Sequence, residues 1–235
     1  MKGTQPTLIL ISGLLSDAVV WQPVVDAFSD SMSVVTVDLN GGGTFSDRAE
    51  TILANNAGPL NIVGHSMGAR VALEVVRLAA DRVMKLAMLD TGVHPLQDGE
   101  AGSRQVLLDL AHNEGMAAMA AKWLPPMVHP DRLSDDALME TLTSMVLRAD
   151  AKTYEQQVRT MLARPEVENL LPLIACPVLL VVGRQDKWSQ LAQHEHMRDQ
   201  ISDASLVIIE DAGHFAPIER PEATIEALGE WMGTA

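Results

Sequence analysis

The chain has 235 residues, 47% hydrophobic and 20% charged, with a formal net charge of −14; that allows one domain with a sizeable core. The negative charge repels phosphates and speaks against nucleic acid or an anionic membrane surface as partner. Cys176 is the only cysteine, so no internal disulfide forms, no apolar run is long enough to span a bilayer, and Met1-Lys2-Gly3 leads almost directly into a strand without a cleavable signal pattern; a cytoplasmic protein is expected.

Thr7-Leu8-Ile9-Leu10-Ile11 reads as a strand covered on both faces. Ser12 to Asp17 is the loop after it, with Ser16 or Asp17 placed to cap a helix containing Trp21, Val24, Val25 and Phe28. Ser33 to Asp38 is a second strand, running into Gly41-Gly42-Gly43, and a brief helical segment near Ser46 to Asn55 follows. The third strand, Leu60-Asn61-Ile62-Val63, ends in Gly64-His65-Ser66-Met67-Gly68, and a helix begins at once with Ala69-Arg70-Val71. Strand, sharp turn and helix form the setting that a G-x-S-x-G elbow requires. The turn forces Ser66 toward strained backbone angles, and side chains at Gly64 and Gly68 would collide with the neighbouring strand and helix. The Ser66 hydroxyl is then expected at the carboxyl end of the strand, beside the Met67 N–H and the helix start, where negative charge is favoured.

Met84 to Asp90 is a further strand. From about Pro95 to Pro172 no strand is evident, and the chain reads as helices broken at Pro125-Pro126, Pro130 and Pro165. Strands resume at Pro177 to Gly183 and Ser205 to Ile209, and a last helix runs from Pro221 to Trp231. Strands alternating with helices at this spacing predict right-handed crossovers and a parallel sheet, an α/β fold. Residues 95–172 are read as a helical cap inserted into one domain whose core is 1–94 and 173–235.

A serine hydroxyl needs a base to take its proton, and the base needs a third group to hold it. Histidine suits neutral pH, and His214 is the best placed, following the last strand, with Gly213 to let the backbone turn the ring across the sheet's carboxyl end. Asp186 follows the preceding strand in Gly183-Arg184-Gln185-Asp186 and is the expected acid; Asp90, ending its own strand, is the rival. His65 is read as a packing or hydrogen-bonding residue, and His94, His112, His129, His194 and His196 as solvated. The donors for an oxyanion are expected to be the backbone N–H groups of Met67 and Leu14, with Leu15 as the alternative to Leu14.

Four motifs in order, Leu8-Ile9-Leu10-Ile11-Ser12-Gly13, Gly64-His65-Ser66-Met67-Gly68, Val181-Val182-Gly183-Arg184-Gln185-Asp186 and Asp211-Ala212-Gly213-His214-Phe215, the last running on to Pro217-Ile218-Glu219-Arg220-Pro221, make the chain resemble the α/β-hydrolase superfamily over nearly its full length. The resemblance implies an eight-stranded type of mostly parallel sheet with helices on both faces and a lid, a Ser66–Asp186–His214 triad, and neither cofactor nor metal. Two departures accompany it. Ser12 stands where many relatives carry histidine, which alters how the oxyanion loop is held. The chain also begins at what would be the third strand, so the first hairpin is expected to be missing and one helix between Gly41 and Pro59 reduced.

A serine in the elbow argues against dehalogenase or epoxide hydrolase chemistry, which the superfamily runs from an aspartate. The resemblance implies a serine hydrolase of a small ester or lactone acting through an acyl-enzyme. Its alternatives are a carbon–carbon bond hydrolase or an SHCHC-synthase-like lyase using the same triad, and a non-catalytic ligand-binding member of the fold. Trp123, Leu124, Met127 and Trp188 are expected to line the pocket. Of the cap methionines (Met116, Met119, Met127, Met139, Met145, Met161), most are read as helix–helix contacts. An apolar acyl or alkyl group of modest size is the expected ligand, since the lid offers few evident basic residues and Arg70 is read as pairing with a neighbour. The expected partner is a small-molecule substrate, with a homodimer left open and no nucleic acid or membrane.

Overall fold

Period-two alternation of fully apolar strands lets each strand feed two cores, one on either side of a sheet. In the computed structural model, which describes residues 5–233, this produces one six-stranded sheet with the order β2-β1-β3-β4-β5-β6, every neighbouring pair parallel. The Met1-Lys2-Gly3 lead-in and the outermost ends of the expected core lie outside the described residues. The strands are β1 (Thr7–Ile11), β2 (Val34–Val37), β3 (Leu60–His65), β4 (Val83–Leu89), β5 (Val178–Gly183) and β6 (Ala204–Ile209). The helices are α1 (Gln22–Phe28), α2 (Phe45–Asn55), α3 (Met67–Ala79), α4 (Glu100–Asn113), α5 (Met116–Trp123), α6 (Asp136–Leu147), α7 (Ala151–Leu162), α8 (Leu191–Gln200), α9 (Ala216–Glu219) and α10 (Pro221–Met232).

Ile9, Ile11, Ile62 and Met88 point to the layer holding α2, α3 and α8, whereas Leu8, Leu10, Val63 and Leu89 point to the layer of α1 and α10. Among the described residues the sheet has six parallel strands, fewer than the eight of the resemblance and with no antiparallel member. The helix expected to be reduced is a full three turns. Thr44 caps α2 in a box with Asp47, Thr44 Oγ1 accepting from the Asp47 N–H at 3.1 Å and Asp47 Oδ2 from the Thr44 N–H at 2.8 Å.

Between β4 and β5 the described chain is helical, as expected, and the prolines break it where the sequence places them. Short 3₁₀ turns occupy Pro125–Met127 and Pro130–Arg132, and α7 stops before Pro165. The cap has its own apolar cluster, which includes Leu142, Met145 and Trp123 but also Leu15, Val20 and Phe215 of the sheet-bearing part. It therefore sits on the loops that leave β1 and β6. Asp17 reinforces the contact: it caps the Ala18–Trp21 turn through the Val19 N–H at 3.0 Å and takes Arg148 of the cap at 2.5 Å.

The strand order fixes where a ligand can lie. From β1 the chain moves outward to β2, then returns across β1 to β3, so the connections leaving β1 and β3 run to opposite layers. A crevice opens between those loops at the carboxyl end of the sheet, the topological switch point of a parallel α/β fold.

Candidate active site

Ser66 occupies that crevice. Its backbone has φ 52° and ψ −116°, a conformation that L-residues adopt only under constraint. The constraint comes from the Ser66 N–H bonding to the Leu89 carbonyl at 2.9 Å and its carbonyl accepting from Thr91 Oγ1 at 2.9 Å. The two elbow glycines are there for space. A Cβ on Gly64 would stand 2.4 Å from Ala69 Cα, and one on Gly68 would stand 2.3 Å from the Ile11 carbonyl oxygen.

The structure brings together the three side chains that the sequence spreads over 149 positions. His214 Nε2 lies 2.9 Å from Ser66 Oγ, and His214 Nδ1 lies 2.7 Å from Asp186 Oδ2. Asp186 is buried, and burial alone would raise its pKa. The facing imidazole and the N–H groups of Ser189 and Trp188, bonded to Oδ1 at 3.0 and 2.7 Å, outweigh that and hold the carboxyl below its usual range. An ionised carboxylate only accepts, so Nδ1 carries the proton and the neutral ring leaves Nε2 to accept from the Ser66 hydroxyl. This arrangement can receive a proton from serine and stabilise the cation that results.

Asp90 stands elsewhere. It is fully buried at the end of β4, accepts from the Gly183 N–H at 2.8 Å and the Ala216 N–H at 3.3 Å, and makes no bond to His214. Burial, with the Asp186 charge nearby, pushes its pKa well up. Gly213 also differs from expectation. Its φ is not positive, and a Cβ there would stand 2.4 Å from the Met127 carbonyl, so glycine is needed for close approach of the cap rather than for turning the ring.

His65 is buried, as read from the sequence, and its Nε2 lies 2.6 Å from the His214 carbonyl. A carbonyl only accepts, so the proton is on Nε2 and the buried Nδ1 has no partner. Burial, with the His214 ring beside it, lowers its pKa to about 3. Two of the histidines expected in solvent are buried instead. His194 Nε2 accepts from the Thr91 N–H at 3.1 Å, and its pKa is lowered by burial to about 4; His129 is packed at the cap hinge. Their helical and polar sequence contexts gave no hint of the layers stacked over them. His94 is half-buried on the cavity wall, and His112 and His196 are surface partners of Glu155 and Glu168.

Around Ser66 the cap roofs a partly open cavity of about 650 Å³. Leu14 and Met67 both line it, and neither backbone N–H has a partner among the described residues. Leu15 cannot serve in place of Leu14. Its N–H is bonded to Gln157 Oε1 at 2.9 Å, and its φ is +55°. Gln157, fully buried on α7, also donates to the Leu39 carbonyl at 2.9 Å, so one cap side chain holds the loop after β1. Ser12 contributes through its hydroxyl, 3.3 Å from Asp38 Oδ1.

Trp123, Met127 and Trp188 line the cavity, Trp188 at its more exposed edge and Trp123 edge-on to Phe215 with centroids 6.4 Å apart. Leu124 does not; it turns into the apolar cluster of the cap, along with Met119 and Met145. The lid also holds basic residues that the sequence reading did not pick out, for Arg104, Lys122 and Arg164 reach the cavity. Arg70 makes no ion pair with a carboxylate among the described residues and donates to the His94 carbonyl at 2.7 Å. Among the described residues no three His, Cys, Asp or Glu side chains gather as a metal would require.

The sequence matches the profile of the alpha/beta hydrolase family over residues 8–227, and the chain belongs to that family. Among similar proteins, (E)-2-((N-methylformamido)methylene)succinate hydrolase of Acinetobacter baylyi is 25% identical over 99% of this chain and 92% of its own length. 3-Oxoadipate enol-lactonase 1 of the same organism is 28% identical over 97% of this chain and 88% of its own. A thermophilic esterase from Thermogutta terrifontis, solved with malate bound, superposes with a TM-score of 0.88 at 25% identity, over 98% of this chain and 90% of that one. The chain is similar to enzymes named as esterases, lactonases and hydrolases, and is itself an alpha/beta hydrolase enzyme.

Proposed function

We propose that this protein is a serine hydrolase of small esters or lactones that works through an acyl-enzyme. The observation that carries the proposal is the unbroken chain of two short hydrogen bonds, Ser66 to His214 to Asp186, at the floor of the cavity under the cap. Ser66 Oγ attacks the carbonyl carbon while His214 Nε2 takes its proton, and the Asp186 carboxylate stabilises the imidazolium. The Leu14 and Met67 N–H groups receive the oxyanion, each contributing on the order of 10²–10³ in rate. His214 then returns the proton to the departing alkoxide, which in a lactone stays tethered to the acyl group. Water, deprotonated by the same ring, attacks the acyl-enzyme and releases the acid.

The names of the similar enzymes, an enol-lactonase and an esterase among them, support the ester or lactone over other acyl compounds. The carbon–carbon bond and lyase alternatives draw on the same three residues, whereas a non-catalytic role leaves the aligned triad without a use. Among the described residues no helix is long and apolar enough to cross a membrane, and we place the protein in the cytoplasm. A fluorophosphonate probe tests the nucleophile directly. Wild-type protein should be labelled stoichiometrically and Ser66→Ala not at all; labelling indifferent to that substitution refutes the assignment.

A further inference from the structure

Although the chain as a whole carries a net charge of −14, its cavity is lined by four cations, Arg70, Arg104, Lys122 and Arg164, and one carboxylate, Glu100. The carboxylate is fully occupied. Arg164 grips it with both terminal nitrogens, Nη1 to Oε1 at 2.8 Å and Nη2 to Oε2 at 2.6 Å, and Arg104 Nε adds a third bond at 2.9 Å. Glu100 is accordingly held down to about 2, because these two guanidinium groups outweigh the burial that opposes them.

Arg70 forms no ion pair among the described residues, although the Glu100 and Glu166 carboxylates lie near enough to favour its charge. It lies in the first turn of α3, four residues after Ser66, the N-cap of that helix, and both residues line the cavity. It is only 4% exposed. Its Nη2 donates to the His94 carbonyl, while its Nη1 is buried with no acceptor among the described residues. A guanidinium has five N–H donors and stays charged, so a buried one with a single neutral partner is incompletely compensated. Burial, reinforced by Arg164, lowers its pKa to about 10, which leaves it cationic at neutral pH.

We infer that the substrate carries a carboxylate a few carbons from its scissile carbonyl, and that Arg70 receives it at the far end of the cavity, as Glu100 is received by Arg104 and Arg164. A planar carboxylate matches the fork of a guanidinium. Ser66 and Arg70 line one cavity, as the half-ester or lactone of a short diacid requires. This inference replaces the purely apolar ligand expected from the sequence, and it rests on the hydrolase reading for the position of the reacting carbonyl.

The test compares monoethyl glutarate with its neutral isostere, ethyl 4-carbamoylbutanoate, in wild type and in Arg70→Met. Wild type should favour the anionic ester at least tenfold in kcat/KM, and Arg70→Met should reduce that preference by about 10- to 100-fold, the worth of a hydrogen bond to a charged group. Equal use of both esters by wild type overturns the inference, as does a preference that survives Arg70→Met. Calorimetric titration of glutarate into wild type and Arg70→Met separates the two proposals. Glutarate binding that Arg70→Met loses, with neither ester hydrolysed, supports the carboxylate site and counts against the hydrolase reading; hydrolysis of the neutral ester with no glutarate binding does the reverse.

Discussion

Asp90 and Asp186 follow adjacent strands and were rivals on sequence, because both close an apolar run at the same edge of the sheet. Hydrogen bonding separates them. Asp186 keeps one oxygen for His214 and anchors the other on two N–H groups, whereas Asp90 spends its oxygens on the Gly183 and Ala216 N–H groups, tying β5 and the histidine loop to β4. On the proposed mechanism Asp186→Asn presents the ring with an amide in place of a carboxylate, and kcat/KM should fall by about 10⁴ in steady-state assays. Asp90→Asn keeps a carbonyl oxygen for one of its donors; it should cost about 1–3 kcal/mol in urea unfolding and less than tenfold in kcat. The opposite ranking of the two variants would move the acid to β4. Ser66, Asp186 and His214 were legible because each follows its own strand and announces itself by local signals: glycines, a turn, a titratable side chain. Arg70 shows the limit of that approach. Its position was evident, but its lack of an ion-pair partner depends on cap residues some 30 to 90 positions away.

At the scale of elements, the short helix α9 ties together the pieces that must move least. Glu219 Oε1 accepts from the Gly213 and Phe215 N–H groups, both at 3.0 Å, and Oε2 from the His129 N–H at 2.8 Å, while the His214 N–H bonds to the Met127 carbonyl at 2.6 Å. The loop bearing His214 and the cap segment 127–129 thus share one buried carboxylate. Glu219→Gln retains the shape but turns an amide NH₂ toward N–H donors. It should lose about 1–3 kcal/mol of stability, read from urea unfolding, and should lower kcat more than it alters KM because His214 loses its backstop. Unchanged stability would show that these bonds contribute nothing net. The sequence displayed Glu219 within the motif that follows His214, yet gave it no task, since its partner at His129 is 90 residues away. Gln157 was silent for the same reason: a mid-helix glutamine has no local signature, and only the fold puts it against Leu15 and Leu39. Strands and helices were readable from periodicity; the bonds that lock the cap to the core were not.

Taken as a whole, the molecule keeps two histidines neutral in its interior, and that makes it sensitive to acid. His65 and His194 are lowered by burial to about 3 and about 4. Below an unfolded pKa near 6.5 the unfolded chain takes up protons that the folded one refuses, so stability falls as pH drops from about 6.5 towards those values, by about 1 kcal/mol per pH unit for each ring. Asp90 and Glu219, raised by burial, act in the opposite sense. The contribution of one ring is isolated by His194→Gln, whose amide oxygen can still accept from the Thr91 N–H. Between pH 6 and pH 5 the unfolding free energy of this variant should fall by about 1 kcal/mol less than that of wild type, measured by urea titration at both pH values. Equal slopes would mean that His194 titrates normally in the fold. The cap itself divides into two parts with different freedom to change. Residues 100–123 shape the cavity and supply Glu100, Arg104 and Lys122, but among the described residues they form no hydrogen bond to the strands or loops that carry Ser66, Asp186 and His214. Substitutions there can retune which compounds are admitted while the proton relay beneath stays aligned; a change crossing 127–129 disturbs both together. Whatever selectivity residues 100–123 confer is thereby inherited apart from reactivity and can drift without it, whereas the part owed to Arg70 is bound to the helix that Ser66 opens.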